Sequence, residues 1–149
     1  MEQLAPLICE LLDMGKKVIV PARGNSMIPL VRNQKDSIVL KAFDGKDLGV
    51  GDAVFYKRTS GQYVLHRIVE VADDGSFTIM GDGLLVCESG IRKENIIAVP
   101  FAFIRKNRYI YCASRAYKKY AEFWAGSVFW RKLNIKLWNL KIKISSKLR

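Results

Sequence analysis

The pattern of hydrophobic and polar positions changes twice along the chain. Residues 3–14 carry leucines and an isoleucine at helical spacing, which predicts a short amphipathic helix. From residue 17 to residue 112, short β-branched runs alternate with turns rich in Gly and Asp, a pattern typical of a mainly antiparallel β domain. The predicted strands cover residues 17–20, 37–43, 53–57, 63–71, 76–80, 95–104 and 108–112.

Beyond residue 112 the apolar positions recur every three or four residues. This spacing predicts two amphipathic helices, separated near Gly126. Over residues 141–144, Lys and Ile alternate, so a strand is the alternative for this segment. No internal repeat is visible in the chain.

The positive charge of the chain lies almost entirely in its last third. Residues 1–102 hold 12 Lys plus Arg and 13 Asp plus Glu, whereas residues 103–149 hold 13 basic residues and a single acid, Glu122. All three tryptophans also lie in the second segment. We therefore predict a globular domain over residues 1–102 and a basic, aromatic-rich amphipathic extension over residues 103–149.

Three roles for this extension follow from its composition. A basic helix with a Trp-bearing apolar face can bind an anionic membrane surface or a partner protein. It can also pack on its own domain with its charges in solvent, or bind nucleic acid through phosphates. We expect an anionic membrane surface as a partner of this extension, and we do not expect nucleic acid.

Other features of the composition restrict the class of protein. The three cysteines, Cys9, Cys87 and Cys112, have no metal-ligand spacing and suggest a reducing compartment. The longest stretch without a charged residue, 95–104, is about half the length that a membrane-spanning helix needs, and residues 1–14 lack the pattern of a secretory signal. We predict no metal and no cofactor, and a cytoplasmic protein that lies peripherally at the inner face of the membrane.

Two residues stand out as candidates for chemistry. Ser26 lies in a short loop between Gly24 and Pro29, directly after a predicted strand. A hydroxyl becomes a nucleophile only beside a positioned base, and a neighbouring Gly lets main-chain N–H groups approach a substrate carbonyl. His66, the single histidine, lies in a predicted strand and is the one side chain with an ordinary pKa near neutrality. The alternative is a structural histidine among aliphatic residues.

Four blocks in order carry a resemblance to a known clan of serine peptidases. They are GNSMIP at 24–29, GDAVFY at 51–56, VLHRI at 64–68, and Gly81-Asp82 ahead of NIIAV at 95–99. Together they resemble type I signal peptidases and the self-cleavage domains of SOS repressors, over about residues 17–100. The best match is the histidine-using branch, found in the endoplasmic reticulum, archaea and some Gram-positive spore formers. The resemblance implies a coiled, partly open antiparallel β-barrel and a serine endopeptidase.

The resemblance also implies roles for individual residues. Ser26 would be the nucleophile and His66 the general base. The acid that orients the imidazole would be Asp82, slightly favoured, or Glu88, while a purely structural turn aspartate is the alternative for Asp82. An imidazole of ordinary pKa predicts a rate that rises through roughly pH 6 to 7.

Substrate binding would fall to the residues around the nucleophile. Met27 would shape the groove, Pro29 would fix the loop, and the backbone N–H of Ser26 would contribute to the oxyanion hole, with Gly24 and Asn25 lining the site. Asn25 departs from the small residue that is usual before the serine, and the family's membrane anchor is not expected before Ser26.

The expected function is a serine endopeptidase that cleaves a peptide or a membrane-associated precursor. Two alternatives stay open. The fold could serve as a non-catalytic module that binds extended peptides by β-augmentation. It could also belong to a self-processing regulator, for which Ala125-Gly126 resembles a cleavage site of small residues.

Overall fold

The computed structural model describes residues 5–147 of the chain. Within that range the chain begins with helix α1 (Ala5–Asp13) and ends with helices α2 (Arg115–Gly126) and α3 (Val128–Lys147). Between them lie eight strands: β1 (Val18–Pro21), β2 (Ser37–Ala42), β3 (Ala53–Lys57), β4 (Tyr63–Val71), β5 (Phe77–Met80), β6 (Cys87–Ile91), β7 (Ile96–Arg105) and β8 (Arg108–Tyr111). Leu4, part of the predicted first helix, lies outside the described residues, as do the side chains of residues 141–149.

The strands form one antiparallel sheet in the order β1-β2-β7-β3-β4-β5-β6, and β8 pairs with β7. Every pairing is antiparallel, and the sequence neighbours β3-β4, β4-β5 and β5-β6 are joined by short connections. The predicted architecture of a mainly antiparallel β protein with a short leading helix and a helical extension is confirmed at this level.

Both faces of the central strands are buried, and each face has its own cluster. Along β3, Ala53 and Phe55 join the larger cluster, which α1 and α2 cover. Val54 and Tyr56 join the smaller cluster on the opposite face. His66 of β4 pairs with Val54, so its imidazole shares that second face, because opposed residues of an antiparallel pair point to the same side.

The predicted strands agree with the observed ones to within one residue at each end. One strand, β6, was not predicted, because Ser89-Gly90 within it reads as a turn and Gly90 does adopt a φ of 77°. The strand alternative for residues 141–144 is wrong, since α3 continues through them. No helix of the described chain combines the length and the apolar character needed to cross a membrane.

The change in composition at residue 102 does not coincide with the end of an element. It falls inside β7, whose last residues pair with β8. Tyr117 and Ala121 of α2 also belong to the same buried cluster as Met27 and Phe55. The first helix of the extension is therefore packed on the sheet, whereas much of α3 is exposed.

Candidate active site

Ser26 lies in a loop that the rest of the fold holds at both ends. At its start, Gly24 adopts a φ of 80° and its N–H donates to Asn33 Oδ1 at 3.1 Å. At its end, Arg105 Nη1 of β7 donates to the carbonyl oxygen of Pro29 at 2.7 Å. The Ser26 side chain is half-buried. The neighbours Met27 and Ile28 are buried, so the loop is a part of the packed structure.

The turn formed by residues 81–83 packs directly against the backbone of Ser26. Gly83 N–H donates to the carbonyl oxygen of Ser26 at 2.7 Å. A Cβ added at Gly81 would lie 2.5 Å from that same oxygen, and one added at Gly83 would lie 2.8 Å from the carbonyl oxygen of Asn25. These glycines are therefore required for close approach of two backbones and not for an unusual φ.

His66 lies almost completely buried on β4, with 2% of its surface exposed. Its Nδ1 is 3.4 Å from the hydroxyl of Tyr56 and 3.5 Å from Glu88 Oε1. Glu88 reaches this point from β6, and Arg58 donates to both of its carboxylate oxygens, through Nε at 2.8 Å and through Nη2. The imidazole thus has an acidic side chain at one nitrogen, and that acid is itself held in place.

Burial and the neighbouring charges set the protonation state of His66. Burial lowers the pKa of His66 to about 4, while the Glu88 carboxylate opposes this shift and Arg58 adds to it. The hydrogen bonds from Arg58 hold the pKa of Glu88 below its ordinary value. At neutral pH the imidazole is therefore neutral and Glu88 is ionised. For a base with this pKa, a rise in rate is expected near pH 4 and not through pH 6 to 7.

Ser26 and His66 line the same groove, which has a volume of about 710 Å³. Gly24 and Met27, two of the residues predicted to bind substrate, line it as well, and so does Arg58. No hydrogen bond joins the hydroxyl to the imidazole, and Nε2 has no partner among residues 5–147. In free enzymes, catalytic hydrogen bonds are often formed only when substrate is bound.

Asp82 occupies a different position from the one that its predicted role requires. Its fully buried carboxylate accepts from Arg67 Nε at 2.8 Å and Nη2 at 2.7 Å, and from the Tyr120 hydroxyl at 3.1 Å. Burial acts to lower the pKa of Arg67, but the hydrogen bonds with Asp82 outweigh it and the pKa is raised. Glu88, and not Asp82, is therefore the acid that lies beside the imidazole. Asp82 instead holds the 81–83 turn behind Ser26.

Arg131 of α3 also holds the 81–83 turn in place, and this role was not predicted from the sequence. It is fully buried, and its Nη1 donates to the carbonyl oxygen of Gly81 at 2.8 Å. Its Nε and Nη2 both donate to the carbonyl oxygen of Trp124, whose indole N–H donates to the carbonyl oxygen of Asp82 at 2.8 Å. The basic composition of the segment suggested solvated charge. One feature of the sequence could have indicated that Arg131 is buried: it is an arginine in a helix whose other basic residues are all lysines.

Comparison of the chain with protein-family models and with curated proteins found no match. Within the described residues, no group of three His, Cys, Asp or Glu side chains is arranged to hold a metal ion. The chemistry that the arrangement supports is nucleophilic attack by a serine hydroxyl on an acyl carbon, with a neutral imidazole as base.

The contact between Gly81 and Ser26 yields a first prediction. In Gly81→Ala, the added methyl group displaces the Ser26 backbone, and a displacement of about 1 Å at a reacting group slows the reaction by about 10²-fold. The measurement is the rate at which a fluorophosphonate probe labels Ser26, followed by intact mass. Gly49→Ala is the matched control, because a Cβ at Gly49 meets no atom within 4 Å. Equal rates in the two variants would contradict this account.

The two acids yield a second prediction. Asp82→Asn leaves the charge of Arg67 buried beside a neutral amide, which lowers the free energy of unfolding by about 3–5 kcal/mol. Glu88→Gln keeps a partner for Arg58 and should leave urea denaturation nearly unchanged, yet it should slow labelling of Ser26 by at least about tenfold, because the imidazolium loses its counter-charge. Wild-type labelling in Glu88→Gln would exclude Glu88 as the orienting acid.

Proposed function

We propose that this chain is a serine endopeptidase related to type I signal peptidases, which cleaves a peptide or a membrane-associated precursor. One observation carries the proposal: Ser26 and His66 line one groove, while the Glu88 carboxylate lies 3.5 Å from Nδ1 of the imidazole. The order of the motif blocks along the chain supports the finer fold assignment, a coiled and partly open barrel of the signal-peptidase type.

The proposed reaction uses each group in its resting protonation state. His66 Nε2 takes the proton of the Ser26 hydroxyl as Oγ attacks the carbonyl carbon of the scissile bond. The Ser26 N–H, which has no acceptor among the described residues, is available to the oxyanion. The imidazolium then gives its proton to the leaving amine, and an acyl-enzyme remains. Water, deprotonated by the same imidazole, releases the acid and regenerates Ser26.

The groove favours an extended, largely apolar peptide. Its floor is made by buried aliphatic and aromatic side chains, among them Met27, Leu40 and Phe55. Strand β1 stands at the end of the pairing order, with β2 as its partner, and Val20 and Pro21 of β1 also line the groove. A free strand edge beside an apolar channel suits binding of a peptide in β conformation. Among residues 5–147, the lining contains no acidic residue that could bind a basic substrate side chain, whereas Arg23 and Arg58 could bind an acidic one.

The self-processing alternative has little support from the geometry. Its cleavage dipeptide, Ala125-Gly126, is the last turn of α2, and Ala125 is buried. A peptidase cleft takes an extended chain, so this segment would first have to unfold. The binding-module alternative has the same groove and differs only in chemistry.

The test is cleavage of a proteome-derived peptide library at pH 7 by the full chain. We expect internal cleavage by the wild type and loss of at least about 10³-fold in rate in both Ser26→Ala and His66→Gln, because each removes one half of the reacting pair. Peptides that bind but stay intact would favour the binding module. Loss of a C-terminal fragment from the wild-type protein alone would favour self-processing, and activity that survives in Ser26→Ala would reject the assignment.

We also propose that the extension docks this domain on an anionic membrane surface. On α3, Phe129, Trp130, Leu133, Leu137 and Leu140 are exposed and fall within about a third of the helical circumference. The exposed Lys132 and Lys136 lie at one margin of this stripe. Phe123 of α2 extends it, with its ring centroid 6.2 Å from that of Trp130. An apolar stripe with aromatic residues and flanking lysines is typical of helices that lie in the membrane interface.

Sedimentation with liposomes tests this docking. Each Lys or Arg near anionic lipid adds about 1 kcal/mol, so the chain should bind vesicles containing phosphatidylglycerol and release them at high salt. Leu133→Ala with Leu137→Ala should lower the bound fraction several-fold. Leu7→Ala with Leu85→Ala is the matched control, because these exposed leucines lie off the stripe. Equal binding by both double variants would contradict the assignment of the face.

A further inference from the structure

Ser26 lies between two cavities, and only one of them contains His66. The first is the groove described above. The second has a volume of about 310 Å³ and lies between the Ser26 loop and α3. Asn25, Ile28 and Leu84 line it on the side of the loops, and Asn134, Ile135 and Trp138 line it on the side of α3.

The position of α3 at this cavity is fixed by Arg131. Its buried guanidinium joins α3 to the carbonyl oxygen of Gly81, in the turn that supports Ser26. Asn134, Ile135 and Trp138 follow Arg131 by three, four and seven residues, which places them on the same face of the helix. The face of α3 that carries Arg131 is thus held against the nucleophile loop, while the exposed apolar stripe points away from it.

A peptide that spans Ser26 must continue on both sides of the reacting carbonyl group. The groove with His66 accommodates the chain on one side. The cavity walled by α3 is a second space that Ser26 also lines. We infer that α3 forms a second substrate-binding subsite, an inference that rests on the proposed peptidase function. This subsite receives the substrate residue that lies across the scissile bond from the groove.

The lining indicates the class of residue that this subsite accepts. Every side chain that contributes to it is apolar, an amide or the Ser26 hydroxyl, and none is charged. A volume of 310 Å³ holds a single side chain. Trp138 also has an indole N–H that is shielded from solvent and has no hydrogen-bond partner within the described residues. An uncharged side chain fits this environment, because burial of a charge without a partner is costly.

A designed change of specificity tests the subsite. Ile135→Glu introduces a carboxylate into the cavity wall, so the peptide library should yield products enriched at least about tenfold in Lys or Arg on one side of the scissile bond. The preference on the other side should stay as in the wild type. Leu7→Glu is the matched control, since it places the same carboxylate at an exposed position of α1, off both cavities, and its cleavage profile should be that of the wild type.

The other outcomes of this experiment either overturn the inference or show whether the subsite or the peptidase function is wrong. Cleavage by Ile135→Glu with the wild-type profile on both sides would exclude α3 as a wall of the subsite and leave the peptidase function intact. If Ile135→Glu does not fold, Asn139→Glu at the exposed rim of the same cavity should show the same enrichment, and an unchanged profile there would have the same meaning. Absence of any Ser26-dependent cleavage by the wild type would reject the proposed function and the subsite together.

Discussion

The buried ion pair between Arg67 and Asp82 is the interaction on which the site depends most. It fixes the 81–83 turn, and that turn supports the backbone of Ser26 through a hydrogen bond and through contacts too close for any side chain. Arg67 follows His66 directly on β4, and successive residues of a strand point to opposite faces. One dipeptide therefore supplies the imidazole on one face and the support for the Ser26 loop on the other.

The second constraint is electrostatic. A buried imidazole is neutral over the physiological range of pH, so its proton-accepting form is populated, but burial also weakens it as a base and the charge it gains needs compensation. Glu88 can provide this compensation because Arg58 keeps it ionised and holds it near Nδ1. Arg58 also competes with the imidazolium for the same carboxylate. In the proposed reaction, His66 is neutral before it takes the proton, and the Glu88 carboxylate is already ionised to balance the charge that the imidazole gains.

Much of the fold could be predicted from the sequence, because apolar periodicity and turn residues specify local structure. The exception, β6, shows how local signals fail: Ser89-Gly90 has turn chemistry, yet pairing with β5 places it in a strand. The candidate pair Ser26 and His66 could be selected from residue types and motif order. The partner of His66 could not, because Asp82 and Glu88 are both near in sequence and only the sheet register decides which of them meets Nδ1. Arg131 was missed because composition cannot distinguish a buried guanidinium from solvated charge.

The state of His66 tests the central claim most directly, since the single imidazole of the chain gives unambiguous nitrogen resonances in NMR. The account predicts a ring that is neutral at pH 7, carries its proton on Nδ1 toward Glu88, and titrates with a pKa near 4. In Glu88→Gln the preference for the Nδ1 proton should weaken. A ring that carries its proton on Nε2 at neutral pH would contradict the assignment of His66 as the base for Ser26, and titration near 6.5 would contradict the effect of burial on its pKa.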